Sequence, residues 1–516
     1  MLELAKIFSK GMILQREKET AVWGKADSHA AVSVSIQGVT GNTTANGDGV
    51  WMVKLAPLQA SAMETMIVKS EDETIVVEEV AVGEVWIAGG QSNMEFSLRY
   101  EKHSTEELNQ MNPNLRFYDV PEKFYEEQDQ DFDYSNVGFW RKAEGDSLSY
   151  FSAVGYYFQK ELEEKLNVPV GIVSCNWGGT RSCAWMREET VKKKGMPWMK
   201  EWENATAGMD MAEYWAELRT NPRSNAGNPN MDPFSTFVLP QTPTMEEIAA
   251  FFRKMLKHEE GQDDDINVEE LMGPEMAVDA RIKPGILYEN MVVKTAPYTV
   301  RGIIWYQGES DDVPGLQSLY ADMMEGLICD WREAWGDSFL PFLQVQLPGW
   351  STWLMQKNLD YTAIRRCQEE VTDRMEGVYM ASISDVGEEM DIHPKDKKTV
   401  GHRLALLARH YVYGEELLCE APRPEKIRRE GKQIAITFLH TGVGLKLAGE
   451  CVEALSVSID GTEIAHTAKV QGDELIIMLE KDEQKPVKVN FAQGAWYLVN
   501  LYNEADIPAV PFTLVC

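Results

Sequence analysis

The chain has 516 residues, 44% of them hydrophobic and 26% charged, which excludes a disordered or fibrous protein and predicts two to four globular domains. A net charge of −32 repels nucleic acid and anionic membrane, and this removes both as partners. The same charge repels an anionic sugar at long range, so a substrate of that kind needs arginines close to the site.

Seven cysteines, an odd number in a long chain, do not make a disulfide framework. Neither a paired-histidine helix nor a Cys-x-x-Cys spacing is present, so no metal and no other cofactor is expected. The opening Met-Leu-Glu-Leu-Ala-Lys lacks a basic-then-apolar leader, and no run of about 18 apolar residues occurs. The expectation is a cytoplasmic protein.

Residues 1–80 alternate in short bursts, as in 31–36 and 50–55, with turns supplied by Gly38, Gly41 and Asn46–Gly49. Many short strands with turn signals predict an N-terminal β-sandwich. From Val82 strands alternate with helices. The strands are expected at 85–88, 115–120, 170–174, 302–306, 342–347 and 378–383, the helices at 150–166, 319–335, 358–371 and 395–413. This pattern predicts an α/β domain over 81–420, three layers thick around a mostly parallel sheet. Such sheets bind ligands beyond the carboxyl ends of their strands.

Residues 190–282 break the alternation. They are rich in Met, Trp and acidic residues and read as a helical insertion, with a helix at 245–258 and a long loop at 221–243. After Pro422-Arg423-Pro424 the strands return at 433–439, 454–459, 474–479 and 487–491, predicting a C-terminal β-domain over 421–516 whose apolar tail 508–515 docks on the body.

Val85–Glu95 organises the α/β domain. Four apolar residues form a short buried strand, Gly89 and Gly90 allow a sharp turn, and Ser92 follows between the amides Gln91 and Asn93. A serine at a strand-to-helix turn is well placed as a nucleophile, with helix N–H groups offered to an oxyanion. The alternative is a serine that merely caps the next helix.

Gly90-Gln91-Ser92-Asn93-Met94 resembles the first block of the SGNH (GDSL-like) hydrolases, in the form found in the sialate O-acetylesterase family. Asn176–Thr180 is similar to the second block, Trp305–Asp311 to the third and Asp391-Ile392-His393-Pro394 to the last. Met12–Arg16, Leu501–Asn503 and Ala509–Phe512 also look like family sequence, so the likeness spans nearly the whole chain apart from 190–282. It implies a serine esterase with Ser92 as nucleophile. His393 is the expected general base: of eight histidines only it sits in a loop after a core strand, followed by Pro394. Asp391 is the expected orienting acid. The broader superfamily sets Asp three residues before His, whereas here the spacing is two, so Asp385 and Glu309 stay as competitors.

The resemblance further implies an oxyanion hole from the Ser92 and Gly179 backbone N–H groups and the Gln307 side-chain amide. Arg99, Arg181 and Arg301 lie near the blocks and can pair a substrate carboxylate, Arg181 standing first because it follows the oxyanion turn. Gln91 and Asn93 complete the expected substrate-binding set. Structural roles stay open for the arginines as ion pairs and for Trp177 and Trp305 as core. The implied substrate is an O-acetylated sugar, sialic acid first, acetylated xylan or another hemicellulose second. A non-catalytic glycan-binding protein is the third reading.

Overall fold

The computed structural model describes residues 1–71, 73–125, 128, 137–221, 276–353, 356–357 and 360–516. The expected helix 245–258, nearly all of the expected loop 221–243 and the acidic runs at 263–265 and 269–270 lie outside them. The described residues form two compact units: 1–221, 276–307 and 322–342 make the first, and 308–321 with 343–516 the second. Among the described residues no helix is long and apolar enough to cross a membrane.

In the first unit the period-two stretches fold as expected. Val50–Leu55 buries Trp51, Val53 and Leu55 and exposes the residues between them, and Ala31–Ile36 buries Val32, Val34 and Ile36. They belong to two antiparallel sheets, one of Glu3–Leu4, Thr20–Lys25 and Val50–Leu55, the other containing Ala31–Ile36, Val39–Thr44 and Ser61–Ser70. The sheets face each other closely: a Cβ on Gly41 would lie 2.4 Å from Val53 Cγ1.

The expected boundary near residue 80 falls inside a single strand, Glu73–Gly90. Its first half is partly exposed and pairs with Ser61–Ser70. From Ala81 onward every residue is buried. There it becomes the centre of a mixed sheet, with Val170–Asn176 parallel on one side (Ile87 opposite Val173) and Gly302–Tyr306 parallel on the other (Ala88 opposite Ile304). Asn112–Asp119 continues the parallel run, and Trp140–Ala143 closes the edge antiparallel. A strand covered on both faces needs a continuous apolar run, which is why Val85–Ala88 showed no alternation. Trp86 packs edge-on against Phe158 of the helix Ala153–Leu166, centroids 5.0 Å apart, and removing so large a buried ring costs about 3–5 kcal/mol. That helix starts at Ser152, whose hydroxyl accepts from the Gly155 N–H, and ends at Asn167 in the left-handed conformation.

Helix Tyr320–Trp335 contributes Trp331, which with Trp185 and Trp305 forms an aromatic cluster, and its indole N–H donates to the Trp185 carbonyl at 2.8 Å. Trp305 is thus core. In the expected insertion, the described part is helical over Glu188–Lys194, Met196–Ala205 and Met211–Thr220, and Trp202, Tyr214 and Val278 make a small apolar cluster.

Met12–Arg16 and Arg301 share one structural purpose. The buried Glu84 carboxylate receives Arg16 Nε at 2.5 Å, Arg301 Nε at 2.7 Å and Gln15 Nε2 at 3.1 Å. Burial pushes that carboxyl up, yet the two guanidiniums hold it below the usual range. Arg301 is therefore a structural ion pair. Arg99 lies over the Tyr100 and Tyr150 rings, 4.8 and 4.6 Å from their centroids.

The second unit contains the strands Phe342–Gln346, assigned from Leu343 onward, and Val378–Ser382, with the helices Thr362–Arg374 and Lys397–Tyr411. Two four-stranded antiparallel sheets follow. One orders Arg423–Glu430, Gln433–Leu439, Glu474–Leu479 and His466–Gln471, the other Thr462–Glu463, Leu455–Ile459, Lys488–Phe491 and Phe512–Val515. They enclose one apolar core that includes Ile436, Val457, Ile477 and Phe491. The apolar tail docks as an edge strand, Phe512 opposite Phe491. Asn503 is buried and bridges the Glu420 and His440 carbonyls at 2.8 and 2.9 Å, which accounts for an amide in that terminal motif.

Candidate active site

In the first unit the site begins where Glu73–Gly90 ends. Gly90 has φ +137, and a Cβ there would lie 2.1 Å from the Tyr306 carbonyl oxygen, so only glycine lets the two strand ends meet. The Gln91 N–H donates to that same oxygen at 3.0 Å. Ser92 then opens a single helical turn, Ser92–Glu95, whose cap position is Gln91 with no side-chain capping bond. Ser92 is the first helical residue, so it does not serve as the cap. Ser92 is 9% exposed, while Gln91 and Asn93 at 3% and 1% are sealed into the wall around it. The turn is clamped from outside: the Ser152 hydroxyl donates to the Met94 carbonyl at 2.6 Å.

The second block follows the neighbouring strand. Asn176 Nδ2 donates to the Ala88 carbonyl at 3.0 Å, and the Trp177 N–H to the Gly90 carbonyl at 3.2 Å, lashing the two strand ends together. Trp177 stacks on Phe124, centroids 4.3 Å apart. A Cβ on Gly178 would lie 3.3 Å from Ser92 Cβ and 3.1 Å from Glu95 Oε2. Gly179 has φ +71 and is exposed. The fully buried Gln307 donates from Nε2 to the Thr180 carbonyl at 3.2 Å. Ser92, Gly178, Gly179 and Gln307 are therefore gathered at the ends of three neighbouring strands.

Arg181 departs from expectation. Its guanidinium donates to Glu201 at 2.7 Å and lies 4.7 Å from the centroid of Trp198, so it is spent on the helix Met196–Ala205. The arginine at the glycine turn is Arg281, whose Nη1 donates to the Gly178 carbonyl at 3.0 Å. Sequence offers no signal for it, since 103 positions separate the partners. Cys175 and Cys183 are buried, and burial pushes the Cys175 thiol well above its usual range, which leaves it an inert packing group.

In the second unit Asp391 and His393 are both nearly buried. Asp391 Oδ1 accepts the His393 backbone N–H at 2.8 Å, while the ring Nδ1 stands 3.7 Å away, beyond a hydrogen bond. The expected carboxylate-to-ring bond thus becomes a carboxylate-to-backbone bond: with a spacing of two, the backbone N–H lies nearer than the ring. Lys395 Nζ holds the other oxygen at 2.9 Å. Burial lowers the Asp391 environment's tolerance for charge, but His393 and Lys395 outweigh it and hold the carboxyl at about 2. Burial draws the His393 imidazole down to about 4 against the pull of Asp391.

Asp385 is taken by Arg403 in a bidentate pair at 2.6 and 2.9 Å, which removes it as the acid beside His393. Glu309 opens a 3₁₀ turn after Gly308 and is buried. Its charge bears on Lys397, a fully buried lysine that burial draws down to about 7, with Lys395 pushing the same way and Glu309, Asp391 and Glu388 opposing. Lys395, Lys397 and Glu388 are further residues that the sequence reading did not single out.

Residues 248–409 match the family model described as carbohydrate esterase, sialic acid-specific acetylesterase. The sialate O-acetylesterase of Mus musculus is 27% identical over 452 residues, covering 81% of this chain and 74% of that protein. The Homo sapiens protein of the same name is 27% identical over 462 residues, covering 82% and 73%. Among solved structures, a carbohydrate acetylesterase from Xanthomonas citri superposes with a TM-score of 0.76 at 26% identity, covering 100% of this chain and 99% of that one. Over most of its length the chain is similar to the sialate O-acetylesterases and to a carbohydrate acetylesterase of known structure, and it is a carboxylic ester hydrolase.

Proposed function

We propose that the enzyme removes O-acetyl groups from a carbohydrate, with sialic acid as the first candidate, on a three-layer SGNH-type domain. Ser92 Oγ attacks the acetyl carbonyl while neutral His393 takes its proton. The oxyanion is met by the Ser92 and Gly179 N–H groups and by Gln307 Nε2. The intermediate collapses to acetyl-Ser92 as the sugar hydroxyl leaves with the proton from His393. Water, activated by the same imidazole, then releases acetate and restores the serine. Asp391 holds the His393 backbone and, at 3.7 Å, biases the ring electrostatically. The observation that carries this reading is the closeness of Gly178 to the Ser92 side chain, 3.3 Å from a Cβ position to Ser92 Cβ, on a turn that Gln307 also reaches.

The second reading keeps the chemistry and changes the sugar. A net charge of −32 favours a neutral acetylated glycan, and Arg181, the arginine nearest the turn in sequence, is committed to Glu201. Parallel kcat/KM measurements on 9-O-acetyl sialate and acetylated xylan decide between them, with the sialate ester expected to be cleaved faster. Preference for xylan would move the enzyme to the second reading, and failure to cleave either, or an aryl acetate, would remove the esterase mechanism altogether.

A further inference from the structure

A trans peptide points its carbonyl and its N–H in opposite directions. The peptide joining Gly178 to Gly179 therefore cannot aim its N–H at an oxyanion unless its carbonyl is held the other way. Between two glycines that peptide is unusually free to flip, because no Cβ hinders rotation on either side. A flip would present a carbonyl oxygen to the developing negative charge.

The carbonyl is held. Arg281 Nη1 donates to Gly178 O at 3.0 Å, a charge-assisted bond. The guanidinium is itself braced by Asp279, which accepts from Nε at 2.9 and 3.1 Å and from Nη2 at 2.6 Å, while Asp279 Oδ1 accepts the Arg281 backbone N–H at 2.8 Å. Gly179 leaves room for this approach: a Cβ there would stand 2.9 Å from Nη1. Ser92 adjoins the same residue: a Cβ on Gly178 would stand 3.3 Å from Ser92 Cβ.

We propose that Arg281, braced by Asp279, is a positioning residue that holds the Gly178 carbonyl and thereby aims the Gly179 N–H at the acetyl oxygen. This inference rests on the Ser92 and Gly179 roles proposed above. It gives the end of the 190–282 insertion a part in the chemistry. It also predicts that Arg281 acts on the acetyl group, which every substrate shares, and not on the sugar.

The test compares Arg281→Ala, Arg281→Lys and Asp279→Asn on 4-nitrophenyl acetate, which carries no sugar, and on 9-O-acetyl sialate, with Ser92→Ala as control and thermal melting as a check of folding. Arg281→Ala should lower kcat about 100-fold on both esters with KM within about threefold, the cost of a misplaced oxyanion donor. Added guanidinium should restore part of that loss, and Asp279→Asn should give a smaller loss of the same kind. Unchanged kcat on the aryl acetate, or a loss confined to KM for the sialate ester, would overturn the proposal, the second outcome making Arg281 a sugar-binding residue. If Arg281→Ala does not fold, Asp279→Asn decides, and full kcat in that variant sinks the idea. Activity retained by Ser92→Ala would instead bring down the esterase mechanism and leave the Arg281 result to stand separately.

Discussion

The Ser92 turn and the His393 loop are built from different materials. Around Ser92 the groups that matter are backbone: carbonyls and N–H groups lashed between strand ends, with Gly90 and Gly179 at φ +137 and +71 where a side chain would not fit. Around His393 they are charges: Asp391, Lys395 and Lys397, with Glu309 and Glu388 acting in turn on Lys397, all of them buried or half-buried. A backbone site keeps its geometry across pH and tolerates few substitutions at glycine. A charge site keeps its geometry across substitutions that preserve charge, but its chemistry moves with pH.

The sharpest break comes from removing one group on each side. Ser92→Ala and His393→Ala should each lower aryl-acetate turnover by more than about a thousandfold while the melting temperature holds, because nucleophile and base act as a unit. Turnover within tenfold of the parent in either variant would sink its assignment. Next in size is Gln307→Ala, which should cost roughly 2–4 kcal/mol of transition-state stabilisation, read as a fall in kcat. A change in KM alone would make Gln307 a substrate-binding amide.

The pH profile sharpens the contrast. His393 titrates near 4 in the folded enzyme, below about 6.5 for an unperturbed imidazole, so it stays neutral and able to accept a proton well into acid. The acid limb of kcat/KM is expected near pH 4. Since the unfolded chain binds this proton more readily, the imidazole's contribution to stability is full above about 6.5 and is lost as pH falls through that window towards 4. Asp391→Asn should move the limb lower still, because Asp391 is the group that raises His393 against its burial. A limb that stays in place, or one near 6.5 in the parent, would contradict the buried neutral base.

The smallest effect is expected at Arg181. Its pair with Glu201 is partly exposed, so Arg181→Ala should cost about 1 kcal/mol of stability and leave kcat and KM on 9-O-acetyl sialate nearly unchanged. A large rise in KM for the sialate ester, absent for the aryl acetate, would return Arg181 to the substrate.

Much of this molecule was legible from residues alone. Gly302–Tyr306, Gln433–Leu439 and Glu474–Leu479 lie where periodicity placed them, and the other core strands differ by a few residues at their ends. The exception is Glu73–Gly90, an 18-residue strand where four residues were expected. Its first half is largely exposed and its second half is covered on both faces, so only the second gives a continuous apolar run. Read locally, only its buried end looked like a strand.

What the sequence by itself determined is the order of the four blocks, the strand ends that carry them and the glycines that allow close approach, since these depend on neighbours in the chain and on local backbone sterics. What only the tertiary structure decided is which charge meets which. Arg301 meets Glu84, Arg181 meets Glu201, Asp385 meets Arg403, and Asp391 meets a backbone N–H before it meets a ring. Arg281 reaches Gly178 across 103 positions. A charged side chain is long and flexible, and in a chain with 50 basic and 82 acidic residues its partner is chosen by burial and distance in space, which no spacing along the sequence encodes.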